Sequence, residues 1–414
     1  MKIKEVARVI GGATPSTKHP EYYDGGIVWA TPKDLSDQGS KYFFSGERTI
    51  SDLGLKSCAA EIIPAYNILM SSRAPIGLIA INKVDCCTNQ GFKSLVLNRN
   101  LCDVNYMYYY MKHHLKEIEA LGSGTTFKEI SKSVFEQWEI VLPTLEKQKE
   151  VSNVLAAIDE KIETNRAISA KLEKLAATIY NFWFLQFDFP NENGRPYKSS
   201  GGKMIWNSDL KREVPEGFRV VDIKNTCQII DCLHSKKPDY SFERDSCYLL
   251  GLENITKEGY IDLSKKYYIS RSDYEKWASK IEVRENDFVV TNAGRAGDIG
   301  KLPHGVVCAI GRNITAIRPI SINAYYLRQF FKSVYTQEQI ASNLDNGSFF
   351  NSFNVKSIKK LKLLMPNNII YEKACEKFSS IVQQIETVQE ENSQLASLRD
   401  FLLPLLMNGQ VTFK

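Results

Sequence analysis

The side chains best suited to chemistry in this chain are arginines, amides and hydroxyls set beside glycine. Gly11-Gly-Ala-Thr-Pro-Ser-Thr-Lys18 offers Thr14, Ser16 and Lys18 on one turn. Ser71-Ser-Arg73, Asn89-Gln90-Gly-Phe-Lys93 and Gly122-Ser-Gly-Thr-Thr-Phe-Lys128 add Arg73, Gln90, Lys93, Ser123, Thr125, Thr126 and Lys128. Farther along come Lys236, Asn292, Arg295, Arg312, Asn313, Ser348 and Asn351. These types fit nucleic acid: Arg matches guanine edges, Asn and Gln match adenine edges, and hydroxyls and backbone N–H groups match phosphate. Ordinary turn chemistry would give any single loop the same composition. Corresponding loops in two halves of the chain favour a shared working surface.

Catalytic patterns are missing. No G-x-x-x-x-G-K-[ST] loop occurs; Gly300-Lys301 and Gly202-Lys203 lack the hydroxyl and the upstream glycine. Gly294-Arg-Ala-Gly297-Asp-Ile-Gly300 has the wrong spacing for dinucleotide binding. There is no N/D-P-P-Y/F motif of an amino-methyltransferase and no G-x-S-x-G elbow. His19, His113, His114, His234 and His304 show no metal-ligand spacing, so no metal site is expected.

The elements that must position these loops come from a long-range repeat. Gly122 to Phe127, Val141-Leu-Pro143 and Ile162-Glu-Thr164 recur as Asn346 to Phe350, Leu364-Met-Pro366 and Ile385-Glu-Thr387. Phe127 to Phe350, Pro143 to Pro366 and Ile162 to Ile385 share one shift of 223 residues. A solenoid repeats every 20–50 residues, so this is the duplication of a large unit. The first part of each unit mixes short apolar runs, such as Phe288-Val-Val290, with turn residues, and reads as α+β. Helices are expected over 107–121 and 325–344.

The second part of each unit is a long helix. Ile158, Ile162, Leu172 and Leu175 in the first, and Ile381, Ile385, Leu395 and Leu398 in the second, are spaced by four, ten and three, sums of the threes and fours of one helix face. That is the seam of a helix pair. Two such helices from one duplicated chain most simply pair antiparallel, with Pro404 expected to kink the last turns. Asn165 and Asn392 interrupt the seam; either they set its register or they face solvent on slightly rotated helices.

The 414 residues are 43% apolar and 24% charged, enough for several cores and incompatible with a disordered chain. The net charge is +5, yet 146–184 are neutral and 371–408 carry −3, so the rest holds +8. A positive balance confined to the globular parts fits phosphate contact, although a basic surface without a partner would look the same. No stretch reaches the length of a membrane span, and the run from Met1 to Val6 lacks the apolar core expected of a signal peptide. Nine scattered cysteines form no C-x-x-C pair. Cys86, Cys87, Cys227 and Cys232 are expected as buried thiols in a reducing cytoplasm.

With these residues in view, the chain resembles specificity subunits of type I restriction-modification systems. Gly11 to Ser16, Tyr22 to Trp29, Leu69 to Gly77, Thr88 to Lys93 and Gly124 to Ile130 resemble a target-recognition domain of that family. Leu142 to Asn165 looks like its central helix, Phe187 to Gly217 like its inter-repeat segment, and Leu402 to Gly409 like its second helix ending. In the second half, Ile230-Asp-Cys-Leu-His-Ser-Lys236 replaces the Gly-Thr-Pro-Ser turn and Thr291 to Arg295 replaces Ser-Ser-Arg.

The resemblance implies two pseudo-repeated mixed α/β recognition domains separated by two long antiparallel helices. The divisions are 1–144, 145–185 (helix), 186–214 (linker), 215–367 and 368–414 (helix). It implies a cytoplasmic, non-catalytic subunit that reads a bipartite duplex DNA target while the helices set half-site spacing. Two modification (methyltransferase) subunits and restriction subunits would be its partners. S-adenosylmethionine, ATP and Mg would belong to those partners, leaving this chain without cofactors. The rivals are a self-contained DNA-modifying enzyme and a coiled-coil scaffold.

Overall fold

The computed structural model describes residues 1–124, 128–243, 245, 247–263, 266–346 and 351–411. Thr125, Thr126 and Ser348 lie outside them. The chain forms two compact units, one of residues 1–165 with 391–414, the other of residues 166–390. Each unit therefore holds one α+β lobe and about half of each long helix.

Both lobes are built on the same plan. In the first, Ala7–Gly11, Lys93–Leu97, Ile68–Ser72, Ile76–Asn82 and Tyr42–Phe43 lie side by side in that order. A second sheet orders Thr49–Ile50, Tyr23–Ala30 and Cys86–Thr88, with the last pair parallel. In the second lobe Cys227–Asp231, Ile314–Pro319, Phe288–Thr291 and Ile299–Lys301 repeat the first four strands. Tyr267–Ile269, Cys247–Leu250 and Ala309–Ile310 repeat the three-stranded sheet, again with one parallel pair. The central strands are continuous apolar runs because both faces are covered: Ile68, Leu69 and Met70, and Val289 and Val290, are all buried.

The two expected lobe helices are each broken in two. Val104–His113 gives way to Leu115–Ala120, and Ala324–Lys332 to Val334–Ser342. At the second break Ser333 adopts extended backbone and its hydroxyl accepts from Thr336 N, capping the next helix.

The long helices start at equivalent points. The first, Leu145–Tyr180, follows Pro143, with the Thr144 hydroxyl accepting from Lys147 N; the second, Asn368–Met407, follows Pro366, with Asn367 Oδ1 accepting from Ile370 N. A π-turn over Asn181–Leu185 prolongs the first and buries both Trp183 and Phe184. The second continues through Pro404 and stops at Gly409, whose φ of +68° is the left-handed conformation glycine supplies at helix ends.

Within the first unit the helix segments run antiparallel, since Asn165 meets Asn392 while Asp159, earlier on the first helix, meets Arg399, later on the second. Asn165 is buried and its amide donates to Glu391 Oε2 (2.8 Å) and Asn392 Oδ1 (3.0 Å). The two interrupting asparagines thus face each other. Asn165 Oδ1 is buried without a partner among the described residues, a cost that an apolar pair would avoid and that specifies register. Ile162 is buried here and Ile158 and Leu395 are half-buried. In the second unit Leu172 packs on a core that includes Ala176, Tyr180, Phe378, Ile381 and Ile385.

Two residues read as seam positions are not. Leu175 is 48% exposed and Leu398 is 46% exposed. A straight helix turns 3.6 residues per cycle, so a strict 3.5-residue pattern drifts off the contact face; Ala176 takes the buried place beside Leu175.

Buried charges fasten the helices to the lobes. In the first unit Asp159 accepts from Arg399 Nη1 (2.9 Å) and from the Tyr109 hydroxyl, which itself accepts from Lys41 Nζ (2.9 Å). Burial pushes the Lys41 ammonium down to about 8 against the pull of Asp159. Between pH 8 and about 10 the unfolded chain still holds a proton that folded Lys41 has released, so this group adds stability as pH rises. Lys41→Met should lack that gain. Denaturant unfolding of both proteins at pH 8 and pH 10 checks it, and parallel pH responses would exclude Lys41 as the source.

In the second unit Glu173 bridges Arg328 (2.5 Å) and Lys332 (3.0 Å), and Lys301 pairs with Glu386 (2.6 Å). Burial works to raise the Glu173 carboxyl, but the two cations outweigh it and hold it low. The inter-repeat segment packs into the same unit: Phe187 and Phe189 are buried against Phe218, and Met204–Asn207 pairs with Arg212–Pro215 as a hairpin.

Candidate nucleic-acid interface

In the first lobe, backbone contacts gather the predicted residues at the ends of neighbouring strands. Gly12 must be glycine, because a Cβ there would lie 2.1 Å from the Asn89 carbonyl. Ala13 N donates to Thr88 O, Trp29 Nε1 to Ala13 O and the Tyr23 hydroxyl to Pro15 O. These bonds present Thr14, Ser16 and Lys18 outward, all exposed, with the Thr14 hydroxyl donating to exposed Gln90.

Ser72 N donates to Gly91 O, and Ile130 N donates to Ser72 O. Arg73, the 89–93 loop and the 122–130 loop thereby become neighbours. Ser123 and Lys128 are exposed on the last of these. Lys93 is placed differently from a free surface cation. Its side chain is only 11% exposed and its ammonium lies 3.4 Å from both Ser72 Oγ and Glu129 Oε1. Glu129 Oε2 in turn lies 3.4 Å from Arg73 Nη1. Glu129 had no signal in the sequence beyond its place after Lys128; its partners are 36 and 56 residues away.

In the second lobe Asn292 is the hub. Its N–H donates to Asn313 O (2.7 Å), its carbonyl accepts from Phe353 N (2.9 Å), and Nδ2 lies 3.4 Å from Asp231 Oδ1. Asn313, at φ +61°, and exposed Arg312 beside it are thereby joined to Asn292, Asn351 lies on the two-residue strand just before Phe353, and exposed Lys236 lies five residues beyond Asp231. Arg295 is committed to its own lobe: Nη2 donates to the carbonyls of Leu252 (3.1 Å) and Ile255 (2.6 Å), and Nη1 sits 3.3 Å from Asp298.

Asp231 and His234 pair at 2.9 Å beside Cys232. These three could offer atoms to an ion within 4.8 Å of one another. Cys232, however, belongs to the core with Tyr248 and Leu250, where burial raises its thiol, so the arrangement fits a packed thiol beside a surface ion pair. Cys86, Cys87 and Cys227 are buried thiols too, with Cys86 pushed up to about 12 by burial. Among the described residues no helix is long and apolar enough to cross a membrane.

Two lobes of one topology, each with cations, amides and hydroxyls on adjoining loops and each packed on helix segments, define a protein built by duplication. Residues 1–174 match the family described as the type I restriction modification DNA specificity domain. The chain is 27% identical to the MjaIX specificity subunit of Methanocaldococcus jannaschii over 99% of its length and 92% of that protein. It is 22% identical to the MjaVIII specificity subunit of the same organism, over 100% of this chain and 93% of that one. The S subunit structure from M. genitalium shares the fold with a TM-score of 0.55 at 17% identity, covering 98% of this chain and 95% of that chain. Residues 1–174 thus match a type I specificity domain, and the chain is similar over nearly its whole length to type I specificity subunits.

Proposed function

We propose that each lobe reads one half of a bipartite duplex DNA target, and that the paired helices set the gap and dock two modification subunits. The observation that carries this reading is the repeated sheet order, with the loops bearing Arg73 and Gln90 in one lobe and Asn292, Arg312 and Asn313 in the other at corresponding strand ends. Two readers of different loop sequence on one frame suit two different half-sites. A duplex presents its grooves with a fixed rise and phase, so two half-sites need a stiff spacer. S-adenosylmethionine, ATP and Mg are then used by the modification and restriction subunits.

The test is methylome sequencing of cells carrying this chain with its modification subunit, against cells lacking the chain. A new adenine-methylated two-part motif with a fixed gap is expected. No new methylation, with a modification subunit that works alongside another specificity chain, would refute the reading.

A further inference from the structure

The Arg73–Glu129–Lys93 cluster is a chain of constraint that starts in the core and ends at the surface. Lys93 is nearly buried, so its ammonium has little freedom, and it holds one oxygen of the Glu129 carboxylate at 3.4 Å. The Glu129 backbone is pinned in both directions to Ser123, N to O at 3.0 Å and O to N at 3.1 Å. The other carboxylate oxygen meets Arg73, whose side chain is 37% exposed. A guanidinium has five N–H donors in a rigid fork, and this contact engages one nitrogen, Nη1, of a side chain that stays partly exposed. On its inner side Arg73 runs past Gly91, where a Cβ would lie 3.7 Å from Arg73 Nε. A cleft of about 600 Å³ lined by Arg73, Pro75, Ile76, Glu119, Lys128 and Glu129 keeps this edge open.

Contacts of this length at a partly exposed site contribute little to stability. Their consequence is orientation. An unanchored arginine spreads over many rotamers, whereas reading a guanine edge needs the fork in one plane. The second lobe ties the arginine of its corresponding loop to a carboxylate as well, but takes it from Asp298, three residues on in the same loop.

We propose that Glu129 is a specificity-determining positioning residue, which fixes the Arg73 guanidinium for base reading through the buried Lys93. The proposal rests on the reading of the first lobe as a half-site reader. It is tested with the full chain and its modification subunit on a duplex library randomised in both half-sites, with adenine methylation read by sequencing. Glu129→Gln should cut discrimination about tenfold at one base position of one half-site and leave the other half-site and the gap unchanged. Binding to unrelated duplex should strengthen slightly, since one negative charge is gone. Arg73→Ala/Glu129→Gln should match Arg73→Ala alone, and Glu129→Asp should restore part of the preference.

Unchanged base preference in Glu129→Gln would overturn the proposal. So would equal losses in both half-sites, or a double variant worse than Arg73→Ala by the full Glu129→Gln loss. If the natural chain itself shows no base preference, the half-site reading fails first and this proposal falls with it.

Discussion

Removing one heptad from each long helix, at the level where Asn165 meets Asn392, should abolish methylation of the natural motif. In its place a motif with a gap shorter by about three base pairs is expected. Seven residues span about 10 Å at 1.5 Å each, and B-DNA rises 3.4 Å per base pair. A heptad is the right unit because seven residues bring the helix back to nearly the same face, about 20° short of closure. Ile162 and its partners would then be replaced by side chains one repeat away. Removing residues from one helix alone would break the antiparallel register that the Asn165 contacts hold, so both must be shortened together. Methylome sequencing of cells carrying the shortened chain reads the gap directly. An unchanged gap in a folded, active variant would end the ruler idea.

Arg399→Ala should destabilise the first unit by about 3 kcal/mol, because removing one partner of a buried ion pair leaves the other uncompensated. Asp159 has a 6% exposed side chain and loses its Arg399 partner at 2.9 Å, keeping, among the described residues, Tyr109 and Lys41, the latter 3.9 Å away. Arg399 is itself one-third exposed, which keeps the expected cost at the lower end of the range for buried pairs. The contact also closes the unit on itself, since it joins residues 240 apart in sequence. Calorimetry should show the melting of this unit lowered by roughly 6–12 °C, with Arg399→Lys recovering part of the loss. A melting curve unmoved by Arg399→Ala would show that the packing of Leu402, Leu403, Leu406 and Met407, with the His113–Asn408 contact, suffices to hold the helix end to the lobe.

What the amino-acid order determined by itself was the duplication, the lobe-and-helix alternation and the helix starts. Repetition at a constant shift and apolar spacing are properties of neighbouring residues or of simple counting, whereas the caps supplied by Thr144 and Asn367 appear only in the structure. The candidate loops were picked out in the same way, since glycine beside hydroxyl, amide and arginine is a local pattern; their contact with DNA is what the methylation experiments test. The facing of Asn165 and Asn392 was left open, because the seam pattern allows either inward or outward placement.

Tertiary structure alone decided which charges are free. Lys93 and Arg295 read as surface cations in sequence, yet one is buried against Glu129 and the other is spent on the Leu252 and Ile255 carbonyls. It also decided that Leu175 and Leu398 leave the seam, that two lobe helices break at His114 and Ser333, and that each compact unit takes part of both long helices. These outcomes depend on partners tens to hundreds of residues away. A burial or an ion pair is the property of a contact, and a contact at that distance leaves no mark on the local spacing of residue types.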